Sequence, residues 1–537
     1  MVPYRYCSTR YGSGKSHLVH CARDRPEARM SRIRGLFYSA IAVALLTACG
    51  SNSTTSEVAT STARGTLIEN PPLRIASLDA ATFMAQLSAT TSGQGLLELA
   101  GAPTCGVDFY YLQYWTVGGA NETATASGAL MVPTGGGTQC SGPRPIVLYA
   151  HGTQFDKSFN IADITNPSNT EGALIAAMFA AHGYIVVAPN YAGYDVSSLS
   201  YHPFLNGAQQ SKDMIDALTA ARTALPQTLA AATTDSGKLF ITGYSEGGYV
   251  AMATHKALQA AGQAVAASAP MSGPYALEAF GDAVFYGNVN IGSTEFTPLI
   301  TTSYQKAYGN IYAETTDLYE PAYASGIDML LPSTTPIDTL IADGKLPETA
   351  LFSSTTPVTG NPALDAVLAV PKNPIFALGF GPANLVTNDY RLSYVLDAVA
   401  HPDGAVPLLE PGVPLAAAPQ NPLRIAFKMN DMRSWVPHAP VLMCGGDQDP
   451  TVFFALDAGT MQIFWAAAGL PAQVVTVLDV NAPVSGPNDP FAAAKEGFQL
   501  TESNIVATQG QAAAVESYHV TVAPFCTAAA RGFFSQF

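Results

Sequence analysis

Ser245 stands in Gly243-Tyr244-Ser245-Glu246-Gly247, directly before Gly248 and a run of small residues. A serine hydroxyl is a weak nucleophile until a base takes its proton and a third group orients that base. Glycines on both sides permit a turn sharp enough to lift the hydroxyl clear of the backbone, and a helix starting at the serine aims free N–H groups at any oxyanion formed there. The five-residue motif is common by chance; it carries weight where a strand precedes it and a helix follows. The chemistry open to such a serine is acyl transfer. It requires a histidine base, an acid behind the histidine, and main-chain donors for the oxyanion.

For a nucleophile on a strand-to-helix turn, the partners follow along the chain in the order Ser, Asp or Glu, then His. Five of the nine histidines (His17, His20, His151, His182, His202) precede Ser245. His255 falls in the predicted helix just after it, and His401 and His438 precede residue 440, where the strand pattern resumes. His519, in Tyr518-His519-Val520 just before a predicted C-terminal helix, remains as the base. The acid is sought in Gly445-Gly446-Asp447-Gln448-Asp449-Pro450, at the carboxyl end of a predicted strand, where sheets of this kind gather catalytic groups. Asp449 is assigned, a turn past the strand, with Pro450 directing the loop; Asp447 is read as a loop cap, and the reverse assignment stays open. His151-Gly152-Thr153 follows another predicted strand, so the main-chain N–H groups of Thr153 and Glu246 are the expected oxyanion donors, with His151 supporting the loop.

The elements that must hold these residues are legible as alternation. Asp108 to Val117 and Thr123 to Val132 are rich in aromatic and β-branched residues and flank Gly-Gly-Ala-Asn, a hairpin signal. Pro145 to Ala150 is a continuous apolar run, as a strand buried on both faces requires. Predicted helices (171–181, 208–224, 247–261) then alternate with predicted strands (184–188, 238–242, 265–269), which implies a parallel sheet with helices on both faces. The alternation stops over residues 276–437, rich in Pro, Gly, Tyr and Leu, and resumes with strands at 440–444 and 473–480 around a helix at 455–468. The middle block is read as an insertion on the sheet rather than an independent domain.

Together these residues resemble the secretory-lipase branch of the α/β-hydrolases, lipases and esterases of fungi and their bacterial relatives. The matching segments are Tyr149-Ala150-His151-Gly152-Thr153, Ala188-Pro189-Asn190-Tyr191-Ala192-Gly193-Tyr194, Gly243 to Gly248, Ala269 to Tyr275, Asp449-Pro450-Thr451-Val452-Phe453-Phe454, and His519 with Pro524-Phe525-Cys526. They span roughly residues 105–537. The resemblance implies an α/β-hydrolase fold, a mostly parallel sheet flanked by helices. It also implies a Ser–Asp–His triad without metal or organic cofactor, and a cap or lid built from the insertion between the sixth strand and the acid-bearing strand. Glu246 departs from the pattern, standing where Gln or Gly is more familiar, and adds negative charge near the pocket.

Composition bounds the rest. With 537 residues, 48% hydrophobic and 12% charged, the chain can bury a large core, which excludes disorder over most of its length. A net charge of −15 leaves no cationic surplus for a nucleic-acid partner. Residues 30–48 have a basic start (Arg32, Arg34), an apolar run (Leu36 to Leu46) and small residues before Cys49, the order of an export signal. Leu46-Thr47-Ala48-Cys49 looks like a bacterial lipobox, which makes Cys49 the lipidated first residue and Met30 the initiator, with residues 1–29 an upstream extension. Gly12-Ser13-Gly14-Lys15-Ser16 is no phosphate loop, because Thr9 stands where its first glycine belongs. The first 48 residues hold eight basic and two acidic side chains, so the exported chain carries −21.

Residues 49–104 then form a Ser/Thr-rich tether and N-terminal segment, 105–275 and 438–537 the two parts of the catalytic core, and 276–437 the cap. Export implies an oxidising compartment, and the four remaining cysteines allow three pairings. Cys105–Cys140 and Cys444–Cys526 are favoured, the second because it ties together the segments carrying acid and base.

The expected function is carboxylic ester hydrolysis by a lipase or esterase at the outer membrane or cell surface, held to the membrane only by the N-terminal lipid. The substrate is a small-molecule or lipid ester, with apolar side chains from Phe285-Tyr286, Leu318-Tyr319 and Met329-Leu330-Leu331 offered to the acyl chain. An aromatic-ester or polyester hydrolase (feruloyl- or tannase-like) is the alternative. A prolyl-type peptidase uses the same triad, but the roughly 60 residues between Cys49 and the first predicted strand leave no room for a propeller. A surface lipoprotein that keeps the fold as a binding module is disfavoured by the ordered Ser, Asp and His.

Overall fold

The apolar runs form strands in the computed structural model, which describes residues 63–166, 169–228, 232–405 and 412–537. The described residues belong to a single compact unit. The upstream extension, export signal, Cys49 and most of the tether expected from the sequence lie outside the described residues.

The strands are β1 (Leu73–Leu78), β2 (Gly106–Val117), β3 (Thr123–Thr134), β4 (Gly142–Ala150), β5 (Ile185–Pro189), β6 (Thr233–Tyr244), β7 (Ala267–Met271), β8 (Phe352–Ser353), β9 (Phe380–Gly381), β10 (Val441–Gly445) and β11 (Val475–Asp479). Nine of them make one sheet in the order β1-β2-β3-β5-β4-β6-β7-β10-β11. The pairings β1/β2, β2/β3 and β3/β5 are antiparallel, and every pairing from β5/β4 to β10/β11 is parallel. Strand β1 is an addition to the strands read from the sequence, so the insertion follows the seventh strand rather than the sixth.

Side chains alternate across a strand, so a strand buried on both faces feeds two cores. Ile146, Leu148 and Ala150 of β4 pack with Ile185, Val187 and Ile241 against helices Gly207–Ala224 and Glu246–Ala260. Val147 and Tyr149 point the other way, with Val186, Ala188 and Phe240, against helices Thr170–Met178 and Gln511–Phe534. Both faces are dry, and the sheet's carboxyl edge is where side chains emerge.

Between β7 and β10, residues 276–437 form helices rather than βαβ units: Leu277–Phe285, Ser293–Tyr308, Asn388–Ala400 and Pro422–Asn430, with shorter turns and the small β8/β9 pair. Buried ion pairs stitch them together. Arg424 binds both oxygens of Asp282 and one of Asp397, and Arg433 binds Asp403 and Asp431. Two further readings are corrected. The 455–468 helix begins as a π-helical turn, Ala455–Gly459, before the α-helix Thr460–Ala467. His519 does not precede the C-terminal helix but lies within it.

Candidate active site

Ser245 sits between β6 and helix Glu246–Ala260 at φ 60°, ψ −122°. That conformation is costly for a residue with a side chain and is the signature of a nucleophile turn. The flanking glycines are required by close approach. A Cβ on Gly243 would meet the carbonyl oxygens of Ala150 and Gly247 at 2.4 Å, and one on Gly247 would meet Ala150 O at 1.9 Å.

The structure brings three distant residues together. His519 Nε2 lies 2.8 Å from Ser245 Oγ, and His519 Nδ1 lies 2.6 Å from Asp449 Oδ2. Asp449 leaves β10 in a tight loop and accepts the N–H groups of Thr451 and Val452 on Oδ1, at 2.9 and 3.1 Å, so one oxygen is anchored while the other faces the imidazole. Asp447 is exposed and points elsewhere, accepting from Asn481 Nδ2 at 2.8 Å.

Tyr244 donates its hydroxyl to the carbonyl oxygen of His519. Burial, reinforced by the Asp449 carboxylate, pushes this phenol well above its usual range, so it stays a neutral donor. The disulfide Cys444–Cys526 joins β10 to the helix of His519, five residues before Asp449 and two helical turns beyond the histidine. The second disulfide, Cys105–Cys140, joins the starts of β2 and β4.

Thr153 and Glu246 line one cavity with Ser245. Neither main-chain N–H donates a hydrogen bond among the described residues, which leaves both free for a substrate oxygen. The Thr153 loop is held by Glu171, whose carboxylate accepts the N–H of Gly152 at 3.0 Å and the hydroxyl of Tyr149 at 2.7 Å. Desolvation pushes Glu171 above the ordinary carboxylate range. His151 is buried, stacked on Tyr191 at 4.1 Å, with its ring nitrogens on the carbonyls of Gly152 and Asn190. It touches the loop rather than the serine. The Glu246 carboxylate is turned away into a buried pairing with His202 and Gln210. Sequence order alone had set His202 aside; the signal that could have found it is the need of a buried carboxylate for a partner.

The cavity is walled by Phe204, Leu277, Phe280, Phe296, Ile300 and Phe427. Four of these six belong to helices Leu277–Phe285 and Ser293–Tyr308, and Phe427 to helix Pro422–Asn430, all within the 276–437 segment. Of the acyl-chain side chains offered by the sequence, Phe285 lines the cavity. Leu318 and Tyr319 are buried away from it, Met329 is 77% exposed, and Tyr286, Leu330 and Leu331 do not line it. The physical reason is register. Helix Leu277–Phe285 presents Leu277, Phe280, Gly281 and Val284 at three-to-four-residue spacing to the cavity, whereas the later segments pack into the insertion's own core.

A mostly parallel sheet, helices on both faces and a serine on the turn after a central strand define an α/β-hydrolase fold. The prolyl oligopeptidase family model matches residues 172–297, the stretch containing that turn. A ligand-bound form of the rice cell wall degrading esterase LipA from Xanthomonas oryzae is similar at 26% identity and TM-score 0.60, over 84% of this chain and 98% of that one. A protein from Legionella pneumophila shares the fold at 18% identity and TM-score 0.57, over 88% of this chain and 97% of its own. No curated protein sequence matches the chain. The chain thus has the α/β-hydrolase fold, and its likeness lies with a bacterial esterase.

Proposed function

We propose that the protein hydrolyses carboxylic esters through an acyl-enzyme on Ser245. The observation that carries the proposal is the imidazole of His519 bridging the Ser245 hydroxyl and the Asp449 carboxylate at 2.8 and 2.6 Å. In the first half-reaction His519 Nε2 takes the hydroxyl proton as Oγ attacks the ester carbonyl, and Asp449 stabilises the imidazolium. The N–H groups of Thr153 and Glu246 receive the oxyanion. His519 then gives the proton to the departing alcohol, and water repeats the sequence on the acyl-enzyme. None of these steps requires a metal or organic cofactor.

The apolar cavity beside Ser245 favours an acyl or alcohol group that is itself apolar. Its phenylalanine wall, including the stacked pair Phe204–Phe296 at 6.2 Å, supports aromatic esters as the second reading. Likeness to a cell wall degrading esterase supports ester hydrolysis without choosing between the two readings. Two disulfides fit an oxidising compartment, in keeping with export through the 30–48 signal and lipid attachment at Cys49. Cys49→Ala is expected to move the protein from the membrane fraction to the soluble one.

The test is a chain-length series of p-nitrophenyl esters together with feruloyl esters, run on wild type and Ser245→Ala. Loss of the nucleophile is expected to cost on the order of 10⁶ in kcat. A long-chain optimum marks a lipase, a short-chain optimum an esterase, and preference for feruloyl esters the aromatic reading. Substantial turnover by Ser245→Ala overturns the proposal.

A further inference from the structure

The Glu246 side chain is the one part of the nucleophile turn that acyl transfer leaves unused. It is buried, as is its partner His202; both side chains have no exposed surface. Its Oε1 receives His202 Nε2 and Gln210 Nε2, each at 2.6 Å, while Oε2 has no partner among the described residues. His202 Nδ1 lies 3.0 Å from the carbonyl oxygen of Ala192. The ring thus bridges the Ala192 carbonyl and the Glu246 carboxyl group, one nitrogen on each. The ring lies between Tyr191 and Tyr194, with centroids at 5.5 and 4.8 Å. The carboxylate of Asp213, on the same helix as Gln210, adds negative charge within reach of the ring's field.

Glu246 is also the first residue of helix Glu246–Ala260. A carboxylate there is drawn to the free N–H groups of the first turn, its own included, by the helix dipole. Left alone, it would fill the space reserved for the oxyanion, or repel the negative charge developing one residue away. His202 and Gln210 hold it on the far side by hydrogen bonds to Oε1. The same segment continues through Pro203 to Phe204 on the cavity wall, so the pairing also fixes that wall to the nucleophile turn.

We propose that His202 is a positioning residue for acyl transfer, holding the Glu246 carboxylate away from the oxyanion site. This rests on the reading of Ser245 as nucleophile and of the Glu246 N–H as oxyanion donor.

The experiment compares wild type, His202→Phe, His202→Gln, Glu246→Gln and the double variant His202→Phe/Glu246→Gln. Each is measured for kcat and KM on a short p-nitrophenyl ester, for affinity to an alkyl boronic acid that forms the tetrahedral adduct, and for labelling of Ser245 by a fluorophosphonate. His202→Phe keeps an aromatic ring but leaves the carboxylate to Gln210 alone. It is expected to lower kcat by about tenfold or more and to weaken boronate binding in step, with KM within about twofold. The double variant is expected to regain most of that loss, because the carboxylate is gone, and a residue that merely packs would show no such rescue. His202→Gln, which keeps one donor, falls between; it decides the matter if His202→Phe does not fold.

Unchanged kcat and boronate affinity in the folded, fully labelled His202 variants overturn the proposal, as does a double variant no better than His202→Phe. Wild-type protein that the fluorophosphonate does not label at Ser245 overturns instead the reading on which it rests.

Discussion

Two aspartates two residues apart compete for one role, and the structure separates them by what each oxygen touches. Asp449 has one oxygen on the Thr451 and Val452 amides and the other on His519, while Asp447 faces Asn481 near the surface. Asp449→Asn is expected to cut kcat by about 10⁴, since an amide stabilises the wrong tautomer and no imidazolium. Asp447→Asn is expected to keep kcat within severalfold. Equal losses in a steady-state ester assay would refute the separation. At this scale the sequence is highly legible where stereochemistry leaves one solution. Gly243 and Gly247 stand where any Cβ collides with backbone, and chain order isolates His519. His202, Glu171 and Tyr244 were not legible as site residues, because each acts by touching a partner 44, 19 and 275 positions away, and no motif encodes a contact.

Elements were legible in proportion to how deeply they are buried. Ile146 to Ala150 of β4 and Ile185 to Pro189 of β5, buried throughout, appear as unbroken apolar runs. Strand β1 was missed because it is an edge strand whose Leu73 and Ile75 are largely exposed, which leaves no alternation to detect. The 276–437 helices carried a signal that composition obscured. Asn361, Asn373 and Asn421 each cap a helix whose first residue is proline, and Asn-Pro at a helix start is a stop-and-turn signal only when read without its context. The C-terminal helix starts earlier than its sequence suggests, because Val520, Thr521, Val522 and Pro524 are poor helix formers whose preference is overridden by packing of Val522, Phe525 and Phe533 on the sheet.

The two disulfides test the elements directly. Replacing Cys444 and Cys526 together by alanine is expected to cost about 2–4 kcal/mol of stability and to lower kcat, because the strand of the acid and the helix of the base lose their tie. The same replacement at Cys105 and Cys140 is expected to lower Tm with kcat/KM unchanged. Calorimetry paired with an ester assay distinguishes them, and equal kinetic damage from both pairs would contradict the assignment.

For the molecule as a whole, part of the pH dependence of stability lies with acids buried within the 276–437 segment. Burial first, then the neighbouring Asp403 and Asp282, push the carboxyl of Glu278 up to about 8, against an ordinary value of 4.5. Between these two values the folded chain holds a proton that the unfolded chain has released. Stability is therefore fullest below about pH 4.5 as regards this group, falls as pH rises, and levels off above about 8. Glu278→Gln is expected to make the decline of Tm over that window shallower, and an unchanged slope in scanning calorimetry would count against it. Some slope is expected to remain, since burial also raises Asp213, to about 6, and Asp457.

An imidazole mounted in the middle of a helix of 24 residues behaves unlike one carried on a loop. It cannot drift from its serine by the rearrangement of a few backbone torsions; nearly seven turns of a rod clamped to the sheet must let go together. Loss of turnover and loss of the whole C-terminal layer are then a single event, so mild heat, dilute urea or a protease that spares the rod should leave the enzyme working at full rate up to the point of collapse.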